Sequence, residues 1–272
     1  MKKDISVIIS TYNSPEWLKK VLCGYNTQTY RNFEVIIADD GSDERTKNCI
    51  QEIQKEVFYP IIHVWHEDTG FQKTIILNKA ILATTTDYIL MTDGDCIPRE
   101  DFIEQHIKQR EEGYFLSGGY YKLPMNLSEN ITKEDIYSGK CFDIKWLKNN
   151  GINFSFKNSK FISNGLRSSF LNCITPTTAS WNGHNASGWK KDFLAVNGFD
   201  ERMQYGGEDR EFGERLINLG IQTKQIRYST VCVHLDHARG YVKPEMIEKN
   251  LQIRKETKDL KSTWTDFGIV KK

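Results

Sequence analysis

The sequence predicts an α/β protein built on a mostly parallel, doubly wound sheet. Over the first hundred residues, apolar β-rich runs alternate with helical patterns, and each run ends on polar residues. "ISVIIS" is the first strand, almost continuously apolar as a strand covered on both faces requires. Ser14 and Pro15 then open a helix, as cap and first-turn residue, that carries Trp17, Leu18, Val21 and Leu22 on one side. "FEVIIADDGS" repeats the strand with its polar end, and "SDERTKNCIQEIQKE" follows as a helix. "IIHVWHED" is a third strand, "TIILNKAILATT" a third helix and "YILMTDGD" a fourth strand.

Sheets of this kind bind ligands beyond the carboxyl ends of their strands. Here those ends are Thr11-Tyr12-Asn13, Asp39-Asp40, Glu67-Asp68 and Asp93-Gly94-Asp95, four polar or acidic ends on one rim. Neither G-x-G-x-x-G after the first strand nor G-x-x-x-x-G-K-[ST] is present, so a different device must hold any diphosphate. Asp93 and Asp95, at i and i+2 of an extended segment, point the same way, and Gly94 between them lets a ligand approach the backbone. Such a pair suits a hard divalent cation, which in turn holds phosphates.

The chain has 272 residues, 39% hydrophobic and 27% charged, enough to bury a substantial core. Its 37 basic residues nearly balance 36 acidic ones, so no overall field favours nucleic acid. The leading apolar run "ISVII" is too short for a signal peptide or a membrane span, and a cytoplasmic protein is expected. Six cysteines without C-x-x-C read as reduced thiols rather than a disulfide framework.

"SVIISTYN", "IIADDGS" and "MTDGDCIP" resemble the nucleotide-binding half of the large family of inverting glycosyltransferases with the GT-A fold, the last being its D-x-D motif. "NASGWKKDFLAVNGFDERMQYGGEDREFGERLINLG" resembles the C-terminal region of the β-1,4-galactosyltransferases and related polysaccharide-polymerase modules. The resemblance implies a GT-A, Rossmann-like sheet flanked by helices, with an acceptor-side C-terminal subdomain. Residues 1–112 would form the nucleotide-sugar half, 113–243 the acceptor-binding and catalytic half, and 244–272 a charged C-terminal helix or tail. The implied reaction is metal-dependent and inverting. It moves a hexose or N-acetylhexosamine, galactose or N-acetylgalactosamine favoured by the second half, from a UDP-sugar to a hydroxyl of a glycan in polysaccharide or oligosaccharide biosynthesis.

Carried over by position, the resemblance gives Thr11 and Tyr12, with Asp40 or Asp39, the uracil and ribose. Asn13, Asp68, Lys73 and Gly94 join the nucleotide-sugar site, Asp93 approaches ribose and metal, and Asp95 ligates the metal. The chain departs from the family pattern at Lys73, where an arginine is expected, and at Asn78-Lys79, which stands for an Arg-Asn pair. "GGEDREFGERLINLG" reads as a tight glycine turn and a helix with Phe212, Leu216 and Leu219 on one face. Acids in a first turn complement the helix dipole in any protein, and Glu211 with Arg215 makes an i,i+4 pair. The resemblance adds that Glu208 binds the acceptor, beside Gly207, and that Asp209 is catalytic. An in-line displacement needs a base opposite the leaving diphosphate, which suits Asp209.

In "TVCVHLDHARGY" the resemblance places a metal-ligating histidine in an H-x-R setting, which makes His237 the first candidate and His234 the second. An Asp-plus-His site with open positions suits Mn²⁺, with Mg²⁺ the alternative, whereas zinc on Cys232, His234 and His237 matches no usual closed spacing. Trp181, His184 and Trp189 are aromatic candidates for stacking on sugar rings, with Trp181 and Trp189 assigned to the acceptor. The tail from Pro244 reads as a charged, solvated helix, and its docking to a membrane that carries a lipid-linked acceptor is left open. Two other readings compete. A sugar nucleotidyltransferase would want a glycine- and arginine-rich loop where "STYNSPEW" stands, and a non-catalytic binding module has no chemical need for Asp93, Asp95, Glu208 and Asp209 together.

Overall fold

The computed structural model describes residues 2–152, 160–161, 165–238, 240 and 242–271. Four βα repeats build the first half: β1 (Ile5–Thr11), α1 (Pro15–Tyr25), β2 (Phe33–Asp39), α2 (Glu44–Ile53), β3 (Ile61–Trp65), α3 (Lys73–Ala83), β4 (Tyr88–Asp93), then β5 (Cys96–Pro98) and α4 (Phe102–Gln109). The second half runs through β6 (Tyr114–Ser117), β7 (Gly119–Lys122), α5 (Met125–Asn130), α6 (Lys133–Tyr137), α7 (Ile144–Asn149) and α8 (Gly165–Ile174). It closes with β8 (Ala186–Trp189), α9 (Lys190–Ala195), α10 (Glu208–Asn218), β9 (Gln222–Gln225), β10 (Val231–His234) and α11 (Pro244–Asp259).

Among the described residues, seven strands form the main sheet in the order β3-β2-β1-β4-β8-β6-β9, and β5-β10-β7 form a second, three-stranded sheet. β1 to β4 pair in parallel, and β8 runs antiparallel to both β4 and β6. All seven residues of β1 and of β2 are buried, as their apolar runs require. Alternate side chains feed two cores. Ile5, Val7 and Ile9 pack with α1 and α2, while Ile8 and Ile36 pack with Ile76, Ile81, Phe193 and Phe212 on the other face. No helix of the described residues is long and apolar enough to cross a membrane.

The strand order changes direction between β1 and β4, so the crevice between their carboxyl ends is where a ligand belongs. Ser10 lies opposite Asp93 in that register.

Three local expectations change. Ser14 makes no side-chain cap, and α1 starts on Pro15 alone. Gly94 does not clear space for a ligand: a Cβ there would meet the Ser10 carbonyl at 3.0 Å and Thr11 Oγ1 at 3.2 Å, so the glycine lets the D-x-D turn close on β1. α11 is not a fully solvated tail, because Asn250, Ile253 and Thr257 are buried and Arg254 pairs with Glu214 of α10 at 2.6 Å.

Trp181 is fully buried, edge-on to Phe115, Phe193 and Phe212 at centroid distances of 5.1–5.5 Å. Trp181→Ala is therefore expected to cost about 3–5 kcal/mol of stability. The check is the denaturant midpoint at unchanged slope, and a loss below about 1 kcal/mol would refute the core assignment.

Candidate active site

The rim beyond β1, β2 and β4 carries three groups of polar side chains. The first surrounds the end of β2. Asp39 accepts from Ser42 N–H at 2.8 Å and meets His63 Nε2 at 2.8 Å, while Asp40 meets His66 Nε2 at 2.8 Å and accepts from Gln72 N–H at 3.0 Å. Burial raises the Asp40 carboxyl above its ordinary value, against the hydrogen bonds that lower it. The Thr11 carbonyl accepts from Asp40 N–H at 3.0 Å, and Tyr12, 45% exposed, donates its hydroxyl to Asp68 at 2.8 Å. Asn13, at φ +45°, ties the loops together, its side-chain Oδ1 accepting from Asp43 N–H and its backbone N–H donating to Ser42 Oγ.

Lys73 and Asp93 form the centre. Lys73 Nζ lies 2.7 Å from Asp93 Oδ1, which also accepts from the Ser10 hydroxyl at 2.7 Å. Burial alone would raise Asp93, but the Lys73 ammonium and the two hydrogen bonds outweigh it and hold the carboxyl well below the usual range. Burial alone would lower Lys73, yet Asp93, then Glu208 and Asp209, hold its ammonium above the usual lysine value.

The second acidic position of the motif faces histidines. Asp95 Oδ2 lies 3.1 Å from His237 Nε2 and 3.5 Å from His234 Nε2, and the three ligand atoms lie within 4.8 Å of one another. This donor set, one hard carboxylate and two imidazoles, fits a divalent cation. His237 Nδ1 meets the Ala238 carbonyl at 2.9 Å, whereas His234 Nδ1 is buried without a hydrogen-bond partner among the described residues. Arg239, which completes the H-x-R setting, lies outside the described residues. Cys232 points away, toward the Gly119 and His184 carbonyls.

The third group opens α10. Gly206 and Gly207 hold φ of +108° and +88°, a conformation that glycine adopts at no steric cost, and the turn delivers Glu208 and Asp209. Glu208 accepts from Gly206 N–H at 3.0 Å, and Asp209 accepts from Arg210 N–H at 2.7 Å and from Gly183 N–H at 3.3 Å. Burial raises both carboxyls, while Lys73 pulls both down. A Cβ on Gly183 would lie 3.8 Å from Lys73 Nζ, so the loop before β8 joins the third group to the second.

Thus Asp93, Asp95, Lys73, His234, His237, Glu208 and Asp209 converge. Trp181 and Trp189 do not. Trp181 is in the core, and Trp189 pairs with Tyr88 at the opposite end of β4, about 17 Å from Asp93 at the usual rise per residue, with its indole N–H on the Glu111 carbonyl. His63, His66, Gly183 and Asn250 were not foreseen. Asn250 bonds the backbone of Gln204 and Gly206 and so holds the glycine turn from outside.

A mostly parallel sheet with its crevice at a strand-order switch and a D-x-D turn on its rim defines a GT-A glycosyltransferase. Residues 6–169, more than half of the chain, match glycosyl transferase family 2, and residues 175–238 match the N-terminal domain of galactosyltransferase. The chain belongs to glycosyl transferase family 2. It is 26% identical over 236 residues to chondroitin synthase of Escherichia coli, covering 82% of this chain and 33% of that protein. The chain thus spans about a third of that relative's length.

Two solved structures share the fold. The mannosyltransferase PcManGT from Pyrobaculum calidifontis, in complex with GDP-Man and Mn²⁺, superposes with a TM-score of 0.58 at 17% identity, over 89% of this chain and 59% of that one. S. aureus TarS 1–349 in complex with UDP-GlcNAc superposes with a TM-score of 0.59 at 16% identity, over 92% and 65%.

The Lys73–Asp93 pair yields a stability prediction for the metal-free protein. Asp93, depressed, contributes above its unfolded value of about 3.9 and loses that contribution as pH falls through its folded value. Lys73, raised, contributes below its unfolded value of about 10.4 and loses that as pH rises through its folded value. Between those limits the pair's contribution is constant. Lys73→Met should cost about 1–3 kcal/mol at pH 7 by stranding Asp93. The deficit should shrink below about pH 5 as the stranded carboxyl protonates. Denaturation at several pH values decides it, and an equal deficit at pH 7 and pH 4 would sink the pairing argument.

Proposed function

We propose that this glycosyltransferase is divalent-metal-dependent and inverting, and that it transfers a hexose or N-acetylhexosamine from a UDP-sugar to a hydroxyl of a glycan. The single observation that carries the reading is the convergence on Lys73 of Asp93, from the first half of the chain, and of Glu208 and Asp209, from the second. The match to a galactosyltransferase domain supports galactose or N-acetylgalactosamine as the donor sugar, and the likeness to chondroitin synthase supports a polysaccharide as the product.

Asp95 with His237 and His234 would hold the cation, Mn²⁺ in preference to Mg²⁺ because imidazole joins the donor set. When bound, the cation supplies Lewis-acid stabilisation of the leaving diphosphate. Lys73 adds fixed positive charge on that side. Asp209, oriented by the Gly183 and Arg210 amides, takes the proton of the acceptor hydroxyl while that oxygen bonds to the anomeric carbon. The bond from that carbon to the diphosphate oxygen breaks, and its electron pair leaves with the UDP. Glu208, fixed by Gly206 N–H, holds the acceptor.

Two predictions test this. Asp95→Ala should abolish Mn²⁺-dependent UDP binding. His237→Ala should weaken it by at least about tenfold, and His234→Ala by less, because only His237 has its second ring nitrogen fixed by a carbonyl. Calorimetry reads all three, and the reverse order of the histidines would transfer the main ligand role to His234.

Asp209→Asn should lower kcat for transfer by about 10²- to 10⁴-fold while leaving UDP and Mn²⁺ affinity intact. In the unsubstituted enzyme, the raised carboxyl must be ionised to act, so kcat should fall toward acid at a pH above about 4. Near-normal transfer by the variant would remove Asp209 as base.

A further inference from the structure

His184 lies where the two halves of the site meet. Its neighbour Gly183 donates to Asp209, while its own carbonyl accepts from Thr92 of β4 at 2.9 Å, one residue before Asp93. The loop is stiff, since Asn185 N–H donates to Asn182 Oδ1 at 2.8 Å and Asn182 donates to the Ser117 hydroxyl at 2.9 Å. The imidazole stands edge-on to Tyr120 at 4.5 Å, and Asp93, Asp95, His234 and Lys73 are near enough for their charges to act on it.

Neither ring nitrogen makes a hydrogen bond among the described residues, and the ring is outside the cluster of Asp95, His234 and His237. Burial pushes the imidazole down to about 4, so it is neutral near pH 7, with one nitrogen a donor and the other an acceptor. A hydroxyl, itself donor and acceptor, complements that pair. The edge contact with Tyr120 explains how the ring is held but leaves both nitrogens unused.

The anomeric carbon must lie between the diphosphate side, at Asp93 and Asp95, and the base side, at Asp209. The Gly183–His184 step spans the same gap. We propose that His184 is a specificity-determining residue that hydrogen-bonds a ring substituent of the hexose being transferred. The inference rests on the reading of the site as a UDP-sugar transferase. It predicts selection among donors that differ at one hydroxyl or at the N-acetyl group, because a site built to bond such a group rejects the analogue that lacks it.

The test compares unsubstituted enzyme with His184→Ala and His184→Gln on UDP-glucose, UDP-galactose and their N-acetyl forms, beside calorimetric affinity for UDP with Mn²⁺. In His184→Ala the ratio of kcat/KM between the best donor and its single-group analogue should fall by at least about tenfold, with UDP affinity within about threefold. His184→Gln, which keeps a donor and an acceptor, should recover part of the ratio. Unchanged donor ratios in both variants would overturn the proposal, as would UDP affinity that falls in step with activity. If the unsubstituted enzyme used none of these donors, the reading of the donor as a UDP-hexose or UDP-N-acetylhexosamine would fall and the inference with it.

Discussion

Asp93, Asp95, Glu208 and Asp209 bring four carboxylates together at the crevice, and the Lys73–Asp93 ion pair makes their assembly tolerable. Like charges a few ångströms apart repel by about 1 kcal/mol each in water and more where solvent is excluded. Asp93, Glu208 and Asp209 all act on one ammonium, which is correspondingly raised. The remaining acid, Asp95, faces two imidazoles instead. The charge pattern thus divides into one part, at Asp95, that can take a cation and another, around Lys73, that has its own. Backbone amides of Gly183, Gly206 and Arg210 complete the compensation without adding mobile charge.

Much of this was legible in the sequence because strands buried on both faces announce themselves. The runs at Ile5–Thr11, Phe33–Asp39 and Tyr88–Asp93 put three acidic or polar ends on one rim. The positions of Asp93 and Asp95 as neighbours, and of Glu208 and Asp209 at a helix start, followed from spacing together with family resemblance. What could not be read depends on register and depth. His63 reaches Asp39, and His66 reaches Asp40, only because Ile37 pairs with His63 across β2 and β3. Trp189 went wrong because a four-residue strand does not reveal that it runs antiparallel to β4, which carries that residue to the far end of the sheet. Trp181 went wrong because aromatic identity does not give depth.

The glycines divide along the same line. Gly206 and Gly207 take left-handed φ, as a turn into a helix suggests. Gly94 has a different reason, close approach to β1, which became visible only once β1 and β4 were paired. The C-terminal helix shows the same limit. Its charge spacing says solvent, yet Asn250 donates to the Gln204 and Gly206 carbonyls and accepts from Gln204 N–H. The turn that aims Asp209 is therefore fixed from its outer side by a residue more than forty positions away.

The position of Lys73 itself argues for function over stability. It is the first residue of α3, where the helix dipole disfavours a cation, no acid occupies the first turn and no side chain caps the helix. An ordinary helix start would carry Asp or Glu there, as α10 does with Glu208 and Asp209. Local rules are broken mainly where a site requires it. Here the requirement is a positive charge at the crevice between β1 and β4, and the first turn of α3 supplies it. The cost to the helix is offset by Asp93, whose own burial without Lys73 would be unfavourable. Each residue is misplaced alone and stable only with the other, which ties the start of α3 to the end of β4 and fixes the geometry around which the second half assembles.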